Sequence, residues 1–194
     1  MRTGQKQPEK EWVKTFLPDA SLRLSEHAPT LRIVDGYRLP YANEIRSYKS
    51  DGSAESDSER YETDILVLEE ETSQRSKPRV VIEAKCSSIT THDAITYSHK
   101  ASTHKQVHPY LRYGILIGDR EQNPLPGRLF RHGAHFDFML SWAGTQPTEQ
   151  EFATFVRVLI DEVNASRLLE EIIFNSRSPK RKRFVCLHKP LRLE

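Results

Sequence analysis

Branched apolar residues crowd two neighbouring runs of the chain, Asp64-Ile65-Leu66-Val67-Leu68 and Arg79-Val80-Val81-Ile82-Glu83-Ala84-Lys85, with a polar stretch containing Pro78 between them. Such runs, bounded by turn-forming residues, predict strands. Side chains alternate across a strand, so Val81, Glu83 and Lys85 share one face and Val80, Ile82 and Ala84 the other. An antiparallel hairpin centred on the polar stretch sets 68 opposite 79, 66 opposite 81 and 64 opposite 83. That register brings Asp64 and Glu83 together, with Lys85 beside them.

Elsewhere the pattern is more mixed. Residues 1–10 are polar and are expected to be disordered. Trp12, Val13, Phe16 and Leu17 recur at helical spacing over 11–17, and Pro18 is expected to stop that helix. Residues 31–39 predict a strand interrupted by a turn at Asp35-Gly36. A short helix is predicted over 40–48. The Ser-, Asp- and Glu-rich stretch 49–60 is expected to be a mobile loop. Residues 87–108 lack Gly and Pro and predict a helix. The continuous apolar run 113–118 predicts a buried central strand. A loop over 119–127, with Pro124 and Pro126, leads to a further strand over 135–142. Thr148 and Glu151 form a capping box that opens a long helix. Its Phe152, Phe155, Val156, Leu159 and Val163 mark a core face, which Leu168, Leu169, Ile172 and Ile173 extend. Strand, helix and buried strand in succession predict an α/β domain.

At 194 residues the chain is expected to be one domain: an N-terminal extension with a short helix over 1–30, a core over 31–175 and a basic tail over 176–194. With 29% charged and 37% hydrophobic residues it is polar yet able to bury a core. No apolar run is long enough to predict a membrane span. The two cysteines, Cys86 and Cys186, are far apart; a reducing cytoplasmic setting is the expectation. The net charge of +2 is unevenly spread. Acids dominate 49–71, no acid occurs over 94–118, and Glu194 is the single acid among the seven bases of the tail. An acidic centre with basic flanks suits a protein that holds a polyanion around a metal. An ordinary solvated surface with uneven patches is the plainer alternative.

Two carboxylates and an ammonium on one patch suit a hard divalent cation such as Mg2+, which lowers the pKa of a bound water that Lys85 can orient or deprotonate. The plainer reading is an ion-paired strand end. His104 and His108, four apart, could meet on a helix as zinc ligands, but no third ligand is evident and contacts to phosphate or to water are the better reading. Cys86 reads as a small buried thiol. Neither a Gly-rich phosphate loop nor a nucleophile elbow occurs.

Asp64, eighteen intervening residues and then Glu83-Ala84-Lys85 after an apolar run resemble the signature of the PD-(D/E)XK nuclease superfamily, with Thr63 where that signature has its proline. Gln106-Val107-His108-Pro109-Tyr110 resembles the Q-h-x-x-Y segment of the RecB-type members, although Pro109 interrupts it. The resemblance implies a restriction-endonuclease-like core, a central mixed β-sheet flanked by α-helices, and Mg2+-dependent cleavage of DNA, with Mn2+ as a substitute. It implies that Asp64, Glu83 and the Ala84 carbonyl hold the metal and that Lys85 positions the attacking water. A Glu on the helix before the Asp-bearing strand is implied as a further acid; Glu44 is the best match and Glu62 a weaker rival. Gln106 and, less directly, Tyr110 are implied to reach the site.

Basic residues at the predicted helix, Lys100 and Lys105, and in the tail, Lys180, Arg181, Lys182 and Arg183, are candidate DNA contacts. In a eukaryotic setting the tail cluster would also read as a nuclear localisation signal. The expected activity is that of a DNA endonuclease. A stand-alone restriction-type enzyme is favoured, and a repair or junction-cleaving nuclease is the alternative. RNA cleavage and a non-catalytic DNA-binding module with the same fold are the competing readings. Double-strand cutting would suit a homodimer.

Overall fold

The structure of the chain, a computed structural model, describes residues 9–120 and 125–194. The expectations for residues 1–8 and for the loop at Pro124 fall outside that range. Five strands form one mixed sheet in the order β1-β2-β3-β4-β5: β1 (Leu31–Tyr48), β2 (Ala54–Thr72), β3 (Arg75–Cys86), β4 (Arg112–Gly118) and β5 (Phe138–Ser141). The first three run as an antiparallel meander. β3–β4 and β4–β5 are parallel, joined by the helices α2 (Thr91–Val107) and α3 (Gly127–His132). The chain opens on α1 (Glu9–His27) and its last helix is α4 (Glu149–Phe174). This is the α/β sheet flanked by helices that the sequence predicts.

Alternation along the strands divides the core. Ile33, Ile65, Val67, Val80, Ile82, Ala84 and Leu116 face α1 and α4. Leu66, Leu68, Val81 and Tyr113 face α2, and Ile115 and Ile117 face α2 and α3. Because Asp64 shares parity with Leu66, and Glu83 and Lys85 with Val81, the candidate site lies on the α2 face.

Several expectations are corrected. α1 does not stop at Pro18 but runs to His27. Trp12, Phe16, Ala20 and Leu24, spaced by four, are all buried, and this stripe outweighs the one backbone hydrogen bond that a proline removes. Trp12 packs edge-to-face on Phe16 and Trp142, so residues 9–27 belong to the main core and are no extension. The interruption at Asp35-Gly36 is absorbed within β1, where Gly36 adopts a φ of +62°. The helix expected over 40–48 and the loop expected over 49–60 form one hairpin ribbon. Cross-strand polar pairs hold it: Ser47 Oγ donates to Glu55 at 2.8 Å, Ser58 Oγ donates to Asn43 at 2.8 Å, and Arg46 pairs with Asp57. Such pairs are available only to an extended backbone. The turn closes with Gly52 at φ +83° and with Asp51 Oδ1 accepting from the Ser53 amide at 2.9 Å.

The hairpin register holds over Ile65↔Ile82, Leu66↔Val81 and Val67↔Val80, but Leu68 faces Pro78 and not Arg79. Pro78 offers no N–H to the ladder, and a bulge falls there. The last strand is shorter than expected, since 135–137 and Trp142 lie outside β5. The expected capping box of Thr148 with Glu151 opens α4, and a second, of Thr90 with Asp93, opens α2. Leu168 and Ile172 do not extend the core; they are exposed on the last turns of α4. No helix among the described residues is long and apolar enough to cross a membrane.

Candidate active site

The candidate site forms where β2 and β3 part. Their pairing ends at Ile65↔Ile82, while β2 continues with β1 into the ribbon. At the parting point the Asp64 carboxylate takes over the ladder's role: its Oδ2 accepts from the Ala84 amide at 2.8 Å. Glu83, 2% exposed, accepts from the Tyr113 hydroxyl of β4 at 2.5 Å. The Lys100 ammonium of α2 lies 3.4 Å from Glu83 Oε1. Lys85 lies 3.4 Å from Glu9 at the start of α1 and 3.7 Å from Asp93 at the start of α2, with the Tyr97 ring 5.5 Å away. Five elements, β2, β3, β4, α1 and α2, thus converge on one cleft.

The electrostatics follow from burial. Burial raises the Glu83 pKa, the neighbouring Asp64 charge raises it further, and Lys100 and Tyr113 only partly offset them, so it stands at about 7. Asp64 is also raised, by burial, against the opposing Ala84 amide and Lys100 charge. Two carboxylates that cannot both ionise cheaply are a pair in want of a cation. For Lys85, burial works against the charge, but hydrogen bonding with Tyr97 and the charges of Glu9 and Asp93 outweigh it, and its pKa is raised. Lys85 therefore stays protonated at neutral pH and can donate hydrogen bonds. The expectation that it could also deprotonate a water does not suit this environment.

Among the described residues no group of three or more His, Cys, Asp or Glu side chains is gathered as a metal cage. The donor set fits Mg2+ nonetheless, because that ion takes one or two carboxylates and leaves its other positions to water and phosphate. Asp64, Glu83 and the Ala84 carbonyl are the groups that would hold it. On the α1 side, a cleft of about 190 Å3 lined by Lys10, Lys14, Asp35 and Glu62 opens onto Asp64.

The other sequence-predicted residues fall elsewhere. Glu44 is exposed and faces Asp57 on the ribbon. Asp35 and Tyr37 pair with Ile65 and Thr63, so Gly36 stands opposite Asp64 and Glu44 lies roughly 25 Å further along the strand. Glu62 forms an exposed ion pair with Lys10 at 2.5 Å. Gln106 is exposed and sits about 120° around α2 from Lys100. Tyr110 packs beside Phe174 and Arg79, at the opposite end of β3 from Glu83. Pro109 is the reason: α2 ends at Val107, so Gln106 and Tyr110 share no helical face. Lys105 is tied to Asp137 at 2.7 Å and to the His135 carbonyl, and Arg112 completes that cluster through Asp137 and Glu162. It is no free phosphate contact. Lys180 and Arg183 are exposed, Lys182 pairs with Glu171 and Arg181 donates to the Ser176 carbonyl.

His104 is also corrected. It is fully buried, its Nδ1 donates to the Pro40 carbonyl at 3.0 Å, and burial lowers its pKa to about 4. It is a neutral packing residue and not a phosphate ligand. Its ring stacks near Tyr113 and meets Tyr41 and Tyr61 edge-on.

Sequence reasoning misses Tyr113, Glu9 and Tyr97 and misplaces Lys100. The signals were faint but physical. Tyr113 is the one polar-tipped side chain in the apolar run that it opens. Tyr97, Lys100 and His104 recur at i, i+3 and i+7, the spacing of one helix face. Glu9 precedes the Trp12 stripe by less than a turn. No protein-family model matches the chain, and no curated protein matches it.

Proposed function

We propose that the protein is a Mg2+-dependent deoxyribonuclease that hydrolyses phosphodiester bonds at the Asp64–Glu83 pair, as the resemblance to the PD-(D/E)XK superfamily implies. The observation that carries this reading is the buried carboxylate pair at the parting of β2 and β3, with Lys85 and Lys100 beside it. A bound divalent cation would neutralise charge that develops on the phosphate and acidify a water. The chain's own groups supply the rest. Asp64, Glu83 and the Ala84 carbonyl bind and orient. Lys85, held protonated between Glu9 and Asp93, fixes the position of a water or a phosphate oxygen by donating hydrogen bonds. Lys100 offsets the charge of Glu83 and offers a second donor to phosphate. Tyr113 fixes the Glu83 rotamer. Glu9 of α1, which reaches the site through Lys85 at 3.4 Å, would take the role that Glu44 was expected to fill. Restriction-type cutting and structure-directed cutting make the same demands on these groups.

Supercoiled plasmid, incubated with Mg2+, with Ca2+ and with EDTA, separates the readings. Mg2+-dependent cutting that Asp64→Asn and Glu83→Gln abolish, with DNA binding retained, is the expected result. Discrete fragments would mark a restriction-type enzyme, and nicking or smearing a structure-directed one. Equal cutting by either variant would sink the site assignment. Binding without cutting of any DNA would leave a non-catalytic module.

A further inference from the structure

At the base of the ribbon, beside the acidic pair, Tyr41 and Tyr61 stack face to face, their centroids 3.7 Å apart and their planes 7° from parallel. Both rings are partly exposed. Such a stack is not needed to fill the core, which lies on the other side of His104. Its place is fixed from α2: the His104 ring meets both tyrosines edge-on, and His104 Nδ1 holds the carbonyl of Pro40, the residue before Tyr41. The buried face of Tyr61 looks toward the Lys100 ammonium, 5.6 Å from its ring centre. That same ammonium is 3.4 Å from Glu83. One lysine head group therefore separates the aromatic stack from the acidic pair.

We infer that Tyr41 and Tyr61 form a stacking platform for an unpaired nucleobase one or two nucleotides away from the phosphate bound at Asp64 and Glu83, so that the substrate is DNA with an unpaired stretch beside the cut. This rests on the reading of the site as a phosphodiesterase centre and narrows it. Among the described residues no other ring or cation lies on Tyr41, whose second face can continue the stack. Inside a duplex both faces of a base are already covered by its neighbours, so only a base out of the helix can use that face. Aromatic stacking tolerates any base and adds about 1–3 kcal/mol per base.

The charge around the platform points the same way. The ribbon between the two tyrosines carries five acids, Glu44, Asp51, Glu55, Asp57 and Glu59, against three bases, Arg46, Lys49 and Arg60. A duplex laid along it would bring a second phosphate strand against those acids. Stacking holds a base without adding positive charge there, whereas phosphate contacts would require it. A single strand that turns one base onto Tyr41 and carries a neighbouring nucleotide's phosphate toward Lys100 meets neither problem.

The test uses the full chain with Ca2+, so that the acidic pair can hold a phosphate, and 2-aminopurine as the reporter base. It is placed once in a single-nucleotide bulge or a short overhang, and once fully paired. Stacking should quench the unpaired reporter saturably and leave the paired one unchanged. Tyr41→Ala should abolish the quenching and weaken binding of the unpaired substrate by roughly tenfold. Tyr41→Trp should retain both. The thermal melt of Tyr41→Trp should stay near the wild-type value, and Tyr41→Ala, which loses the ring pair with Tyr61, should fall by only a few degrees. An unquenched unpaired reporter, or Tyr41→Ala binding as the wild type does, would overturn the inference. So would equal affinity for paired and unpaired DNA, or a preference for the same oligonucleotides made as RNA. The two readings fail separately. Quenching with no cutting of plasmid, flaps or single strands would remove the nuclease and leave the platform; cutting without quenching would do the reverse.

Discussion

Glu83 sits in a place that charges for its ionisation, and this gives the site a measurable signature. Its ordinary pKa is 4.5 and its folded value about 7. Between those values the folded chain holds a proton that the unfolded chain has released, so stability falls as pH rises through that window and is flat on either side. At about 1.4 kcal/mol per unit, the full deficit above pH 7 is on the order of 3 kcal/mol. Glu83→Gln removes the charge and keeps an acceptor for Tyr113. Relative to the wild type it should gain about 2–3 kcal/mol more at pH 8 than at pH 4.5, read by urea denaturation at the two values. An equal difference at both would show that Glu83 is not strained. The same physics predicts that millimolar Ca2+ raises the melting temperature at pH 8, that EDTA reverses the rise, and that Asp64→Asn removes it. Asp64, Glu83 and Lys85 were legible in the sequence because strand parity alone sets them on one face. Glu44 and Gln106 were not placed, because sequence spacing cannot tell a helix from a ribbon or report where a proline ends a face.

At the scale of elements, the cleft depends on how α1 is seated. Its Trp12 lies so close to Gly118, at the end of β4, that a Cβ there would meet the indole at 2.3 Å. Gly118→Ala must push Trp12 aside, and with it the helix that carries Glu9 to Lys85. A loss of about 1–3 kcal/mol is expected, together with a changed tryptophan emission maximum; unaltered stability would mean that α1 can shift at no cost. The ribbon behaves oppositely. Its pairs are exposed, so Asp57→Ala, which removes the partner of Arg46, should cost under about 0.5 kcal/mol. Its amides at 43–58 should exchange well ahead of those at 80–84 and 113–117, which exchange only when the sheet opens. Composition made the ribbon illegible: KSDGSAESDSER carries the polar, turn-rich signature of a loop, and only pairing with 40–48 makes it a strand. The parallel strands and α4 were legible because their apolar periods are unbroken.

The whole molecule keeps its positive charge at one end. The described chain folds into a body that buries one acid, Glu83, and one base, Arg79, and the tail after α4 carries Arg177, Lys180, Arg181, Lys182, Arg183, Lys189 and Arg192 against Glu194. Removing those seven bases and one acid would turn the net charge from +2 to −4. A body of that charge repels DNA, so under the proposed function the tail must supply much of the long-range attraction. It contributes little to the fold: the tail has no helix or strand, and Phe184, Val185, Leu187, Leu191 and Leu193 are all exposed. A chain ending at residue 176 should therefore melt within a degree or two of the full protein. Its affinity for any DNA should fall, whatever the sequence or structure. Lys182 and Arg181 already have partners in Glu171 and the Ser176 carbonyl. If the remaining five bases meet phosphates, the slope of log affinity against log salt should shrink by about 4. Titrations of one labelled oligonucleotide from 50 to 200 mM salt would read it, with both proteins side by side. An unchanged slope would mean that the tail never touches the backbone, and the attraction would then have to come from basic residues of the body.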